Sequence, residues 1–190
     1  MLPNQRSSHC LRFWSSMTDL NQIVAALPLQ ADEHAEWPPL RLRVRTYLTT
    51  TLPPLDLVSS VRALVIQAEQ LLVVRDPVSV HILPGGRRES GETLMQTLHR
   101  EVLEETGWTI RDTRLIGLVH FQHLTPKPDD CRYPYPDFLH LIFVAAADRY
   151  NHEQREVGGY ELEAALQSLA AAEALPISQG ERALLRAALA

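Results

Sequence analysis

An α/β fold, with a mixed β-sheet sandwiched between helices and a helical extension at its N-terminus, is what this sequence predicts. Three observations carry the prediction. Apolar runs at residues 61–67 and 71–75 flank the short Ala68-Glu69-Gln70 turn, which is a β-hairpin signal. Two more apolar runs, 115–123 and 138–146, read as strands on either side of a proline-rich loop. Between hairpin and strands, Leu94, Leu98 and Val102 recur every four residues, which is one apolar stripe of an amphipathic helix. Strands mixed with helices in this order fit an α/β/α sandwich.

Taken in order, residues 1–15 mix Ser, Asn, Gln and Arg without periodicity and are expected to be disordered. From Ser16 the pattern turns helical. Ser16 and Asp19 stand at capping-box spacing, Leu20, Ile23, Val24 and Leu27 mark one face, and Pro28 stops the run. Residues 28–39, with Pro28, Pro38 and Pro39, read as a linker. The stretch 40–52 satisfies two templates. Leu40, Leu42, Val44, Thr46 and Leu48 alternate as in a strand, while Leu40, Val44, Tyr47, Leu48 and Thr51 fit a helix; a helix is the expectation, ended by Pro53 and Pro54. Residues 16–55 therefore form the helical extension, and residues 56–190 the main domain. Near the C-terminus, Leu162, Ala165, Leu166 and Leu169 suggest a helix face. Ser178 and Glu181 form a capping box for a last helix that packs through Leu184, Leu185 and Leu189.

Composition narrows the function. With 190 residues, 45% of them apolar, the chain has enough material for one sizeable core. A net charge of −5 argues against a nucleic-acid surface, where Lys and Arg dominate. Cys10 and Cys131 lack metal or disulfide spacing, and free thiols fit a reducing compartment. Neither a secretory leader pattern nor a long apolar run is visible, so a cytoplasmic protein without a membrane partner is expected.

The chemistry concentrates in residues 86–108. Gly85 and Gly86 allow a tight turn and a close backbone approach, and a helical segment follows, carrying Glu101, Glu104 and Glu105. At about 100° per residue those three carboxylates share a sector of roughly 100° on one helix face. Like charges at such spacing repel, and a hard divalent cation such as Mg²⁺ or Mn²⁺ removes the cost. An acidic solvated face is the plainer alternative. His120 and His123 would point to opposite faces of a strand, which disfavours a histidine metal site.

The whole stretch resembles the Nudix hydrolase box, G-x5-E-x7-R-E-U-x-E-E-x-G-U with U aliphatic. Gly86, Glu92, Arg100, Glu101, Val102, Glu104, Glu105 and Gly107 match it, and Trp108 replaces the final aliphatic residue. The lead-in Leu83-Pro84-Gly85-Gly86 is similar too, with His81 where many members carry Trp. The resemblance implies a Nudix fold over residues 56–190 and metal-dependent hydrolysis of a diphosphate linkage in a nucleoside diphosphate derivative. It places the metal on the Gly86 carbonyl, Glu101, Glu104 and Glu105, with Glu101 or Glu105 also accepting a proton. Arg100 and Glu92 would orient the glutamates, and a carboxylate outside the box, Glu153 or Glu156, is a further base candidate. Tyr133 and Tyr135, on a loop restrained by four prolines, and His81 are the substrate-binding candidates. The expected partner is a small nucleotide, and a homodimer is compatible with this reading. A Nudix-like regulator that binds a nucleotide or nucleotide sugar without cleaving it is the alternative.

Overall fold

The structure, a computed structural model, describes residues 16–129, 131, 133–156 and 160–190. The expectation for residues 1–15 falls outside them, as do the side chains of the proposed Ser16–Asp19 cap. Helix α1 spans Ser16–Ala25 and is followed by strands β1 Leu29–Trp37 and β2 Leu40–Leu48. A single 3₁₀ turn leads into β3 Val58–Gln67, β4 Gln70–Arg75, β5 Val80–His81 and β6 Gly85–Arg87. Helix α2, Leu94–Thr106, is followed by β7 Trp108–His123, β8 Asp137–Tyr150, β9 Glu163–Ser168, and helices α3 Leu169–Glu173 and α4 Gln179–Leu189.

The strands form one mixed sheet in the order β1-β2-β7-β8-β3-β4-β5, with β6 on β3 and β9 on β4. The β3 and β8 strands run parallel, and the other pairs are antiparallel. Each face carries its own core. On one, Leu20 and Val24 of α1 and Leu98 and Val102 of α2 pack on Val61, Ala63, Leu118 and Leu141. On the other, Leu184 and Leu185 of α4 and Ala172 of α3 pack on Leu42, Leu64, Phe121 and Ile142. The α/β/α sandwich is thus observed, with the predicted Leu94, Leu98, Val102 stripe turned onto the sheet. The Ser178–Glu181 capping box is present on α4. A second acidic group joins it. The Glu33 carboxylate on β1 accepts the N–H groups of Gln179 and Gly180 at 3.1 and 3.0 Å, so an edge strand holds the start of α4.

Three expectations are corrected. Within residues 28–39, expected to be a linker, Leu29–Trp37 form a strand, β1. Residues 40–48 are a strand, β2, where a helix was expected, so the helical extension reduces to α1. Residues 163–168 are likewise a strand, β9, and the helix begins only at Leu169. The physical reason is common to all three. Strand β7 offers an edge that β2 covers from Leu42↔His123 to Leu48↔Gly117, β2 in turn one that β1 covers from Leu29↔Tyr47 to Trp37↔Leu40, and β4 one that β9 covers from Gln70↔Ser168 to Arg75↔Glu163. Backbone groups on such edges need partners, and that demand outweighs a helix-compatible side-chain pattern. Strands β7 and β8 also run well past the predicted 115–123 and 138–146, with bulges absorbing irregular register.

Candidate active site

The site starts from the turn between β6 and α2. Thr93 caps α2 by accepting the Gln96 N–H, and the Gln96 side chain accepts the Thr93 N–H in return. This T-x-x-Q signal was present in the sequence and went unread. The helix ends at Gly107, whose left-handed conformation (φ 76°) returns its N–H to the Leu103 carbonyl. Trp108 then packs beside Tyr150, with ring centroids 5.3 Å apart.

Arg100 is the hub. Its Nε and Nη2 donate to the two oxygens of Glu92 at 2.7 and 3.0 Å. Its Nη1 donates to Glu101 Oε1 at 2.9 Å and to Glu104 Oε2 at 3.0 Å, and Nη2 also reaches the Arg87 carbonyl at 3.3 Å. One planar fork therefore orients three carboxylates and ties them to β6. The Arg100 and Thr97 hydrogen bonds pull the Glu92 carboxyl down to about 2, and the Arg100 guanidinium is held more firmly charged than usual.

The remaining box carboxylate is placed differently. Glu105 Oε2 accepts the Gly85 N–H at 2.8 Å, and burial pushes its carboxyl up to about 8. Burial also raises Glu101, against the pull of Arg100. Among the described residues no three His, Cys, Asp or Glu side chains are already gathered around one point. Arg100 draws Glu101 and Glu104 to itself, while Gly85 holds Glu105.

The two glycines do different work. At Gly86 a Cβ would overlap the carboxylate of Glu101, so the missing side chain is what lets that group lie against the β6 backbone. At Gly85 φ is +132°, and a Cβ would meet the Val61 and Arg62 backbone. The consequences separate. In Gly86→Ala only the flexible end of Glu101 must move, so the fold should persist with a stability change under about 1 kcal/mol, while displacement of the carboxylate should cost on the order of 10²-fold in kcat/KM. Gly85→Ala should instead destabilise by about 1–3 kcal/mol. Urea melts beside rate measurements check both, and equal stability losses in the two variants would contradict the assignment.

Residues away from the box fall into groups. Glu153 and Glu156 are exposed on the segment after β8; Glu156 donates its backbone N–H to the Glu104 carbonyl at 2.8 Å, so the segment lies at the end of α2. Arg155 donates to the Glu105 and Glu161 carbonyls. That brings in Glu161, whose charge raises Glu105 and which sequence reading missed, having no local signal. Arg62 was missed too, although a lone charge within the apolar run 61–66 is a signal. It pairs in register with Gly85, donates to the Leu83 carbonyl at 2.9 Å, and lowers both Glu101 and Glu105.

Of the substrate-binding candidates, Tyr133 stacks on Phe138 at 4.6 Å and has Arg87 over its ring at 5.2 Å, beside the box. Tyr135 is exposed and contacts His123 at 5.2 Å. His81 sits at the end of β5. It lines a cleft of about 590 Å³ on the α4 face, together with Thr46, Arg62, Phe121 and His140, and burial beside Arg62 lowers it to about 4. His120 and His123 indeed diverge: His120 pairs with Asp137 at 2.6 Å, while His123 joins the aromatic group of Tyr135 and Phe138.

Comparison with known proteins agrees with this architecture. A NUDIX hydrolase from Nitrosomonas europaea superposes with a TM-score of 0.52 at 23% identity, covering 68% of this chain and 87% of that one. The Bacillus subtilis pyrophosphohydrolase BsRppH (E68A mutant) gives 0.52 at 15% identity, covering 71% and 77%. The NUDIX domain of Shewanella oneidensis NrtR, solved with ADP ribose, gives 0.52 at 16% identity, covering 70% and 86%. These likenesses concern the fold. No curated protein sequence matches the chain. The family model for the NUDIX domain matches residues 56–188, the span that contains the Gly86 turn, the Arg100 hub and the glutamate face of α2, and the chain therefore belongs to the Nudix hydrolases, enzymes that act on pyrophosphate bonds.

Proposed function

We propose that this chain hydrolyses a diphosphate linkage in a nucleoside diphosphate derivative with the help of Mg²⁺ or Mn²⁺, in the cytoplasm. The observation that carries the reading is the fit between Gly86 and Glu101, a backbone cradle that a Cβ would fill, directly beneath a helix face of three glutamates. All donors there are hard oxygens, which suit a small divalent ion, and Nudix hydrolases generally use such ions. The Gly86 carbonyl, Glu101, Glu104 and Glu105 would hold it. Bound there, the ion supplies charge neutralisation on the diphosphate and a lower pKa for the attacking water.

The chain's own groups do the rest. Arg100 keeps Glu101 and Glu104 oriented, so little reorganisation is needed when substrate arrives. Glu105, or Glu101, accepts a proton from the attacking water; a buried carboxyl close to neutral pH in its titration suits that role. Arg62 adds positive charge next to the glutamates, where a diphosphate must approach. Tyr133 and Tyr135 contact the leaving or retained group. The test is a panel of ADP-ribose, dinucleoside polyphosphates, modified deoxynucleoside triphosphates and nucleotide sugars, with and without Mg²⁺, read by product mass. The expected result is a nucleoside monophosphate or similar product from at least one substrate, absent in EDTA. No turnover across the panel, with nucleotide binding retained, would replace this reading by the non-cleaving regulator.

A further inference from the structure

The end of α2 that carries the glutamates is clasped from outside the box, and the clasp leads to a further carboxylate. Gly107 is where the two meet: a Cβ there would lie 2.9 Å from the Tyr150 ring, 3.2 Å from the Asn151 carbonyl and 3.5 Å from the Arg155 side chain. Asn151 donates its N–H to the Gly107 carbonyl at 2.7 Å, and Glu156 donates its own to the Glu104 carbonyl at 2.8 Å. Arg155 adds a half-buried guanidinium to this contact, with Nε 3.2 Å from the Glu105 carbonyl and Nη2 3.1 Å from the Glu161 carbonyl. Glu161 is fixed from its other side as well, because the Leu162 N–H donates to the Arg75 carbonyl at 2.8 Å, where β9 joins β4. One side chain thus ties the backbone of a box glutamate to that of a glutamate distant in sequence.

We propose that Arg155 is a positioning residue for the glutamate face: by bridging the Glu105 and Glu161 carbonyls it keeps the Glu161 carboxylate beside the box as an outer negative charge for a divalent cation. The inference rests on the metal-binding reading of Glu101, Glu104 and Glu105 given above. A guanidinium at the end of a helix has a simpler role, which is to satisfy the last carbonyls and complement the negative end of the dipole. One donor on α2 suffices for that. Here the second arm of the fork leaves the helix and reaches Glu161, whose nearness is felt at Glu105: burial raises the Glu105 carboxyl, and the Glu161 charge adds to the effect. Because the fork bonds backbone oxygens, it holds the two glutamates together without pairing with either carboxylate. Like charges gathered in this way repel until a cation joins them, and their number and charge set how tightly a hard ion is held.

The two roles predict opposite signs for the affinity of Mn²⁺, read from the paramagnetic resonance signal of the free ion as the full chain is titrated without nucleotide. If Arg155 only caps α2, it adds positive charge near the glutamates, and Arg155→Ala should leave Mn²⁺ binding unchanged or tighten it. If it positions Glu161, Arg155→Ala should weaken Mn²⁺ binding on the order of tenfold, as the loss of an outer partner of a metal site does. Glu161→Gln, which keeps the backbone contacts, should weaken it by a similar factor, and Arg155→Ala added to that variant should weaken it no further. Arg155→Lys presents one point donor in place of the fork, so it should recover only part of the loss, and it stands in if the Ala variant fails to fold. Unchanged or tighter Mn²⁺ binding in a folded Arg155 variant, undiminished affinity in Glu161→Gln, additive losses in the double variant, or a wild type that binds no Mn²⁺ would overturn the assignment. A chain that shows the expected shifts yet hydrolyses nothing would remove the hydrolase reading and still support the role of Arg155.

Discussion

Replacing Glu105 with Gln should remove most hydrolysis and, at the same time, stabilise the metal-free protein. The two signs have separate causes. Gln retains the oxygen that accepts the Gly85 N–H, so the local geometry survives, but it neither carries charge nor takes a proton. Loss of a general base costs on the order of 10²–10⁴-fold in rate, and weakened metal binding adds to that. Stability moves the other way because burial makes the Glu105 charge expensive, raising its carboxyl to about 8 from an unfolded value near 4.5. A group raised on folding contributes fully below its unfolded value and loses that contribution as pH rises through the folded one. The wild type therefore forfeits stability between about pH 4.5 and pH 8, and Glu105→Gln does not. The variant should match the wild type at pH 4.5 and exceed it by on the order of 2 kcal/mol at pH 8.5, measured by urea unfolding in EDTA. Glu104→Gln makes the contrast. Its partner is Arg100, so no comparable gain is expected there. A Glu105→Gln stability difference independent of pH would contradict the burial argument, and wild-type turnover at saturating metal would contradict the catalytic one.

Arg100→Leu should have the largest effect on the fold itself. The Arg100 side chain is 25% exposed and holds Glu92, Glu101 and Glu104 together, with the side chains of Glu92 and Glu101 19% and 18% exposed and that of Glu104 43%. Removing it leaves partly buried carboxylates repelling one another, a loss of about 3 kcal/mol, together with a large fall in kcat/KM as Glu101 and Glu104 lose their orientation. Arg100→Lys keeps the charge but presents a point donor in place of the planar fork, so it should recover part of the stability and less of the activity. Acid behaviour provides a second readout. Glu92 is depressed to about 2, so its contribution is present above the ordinary carboxyl range and fades as pH falls toward 2. The wild type should lose stability across that window more steeply than Arg100→Leu. Equal denaturation midpoints for the Leu variant and the wild type would show that Arg100 is not the hub.

The positions of Glu101, Glu104 and Glu105 on one face, and of Leu98 and Val102 on the next, could be read from spacing alone because a helix repeats over a few residues and the signal is local. The same holds for the Ser178–Glu181 cap and for the hairpin of β3 and β4. Strands β2 and β9 could not be read this way. Their side chains satisfy a helix nearly as well, and only the open edges of β7 and β4, distant in sequence, select the extended form. Arg62, Glu161 and His140 belong to the same class. Nothing near them in the chain relates them to the box; pairing of β3 with β6 and the turn held by Arg155 bring Arg62 and Glu161 toward the glutamates, and the parallel register of β3 with β8 sets His140 in the cleft that Arg62 also lines. Local spacing was enough to place three glutamates on one helix face beside Gly86, whereas the cleft on the α4 face depends on backbone pairings between strands far apart in the chain, and those pairings leave no periodic trace in either partner.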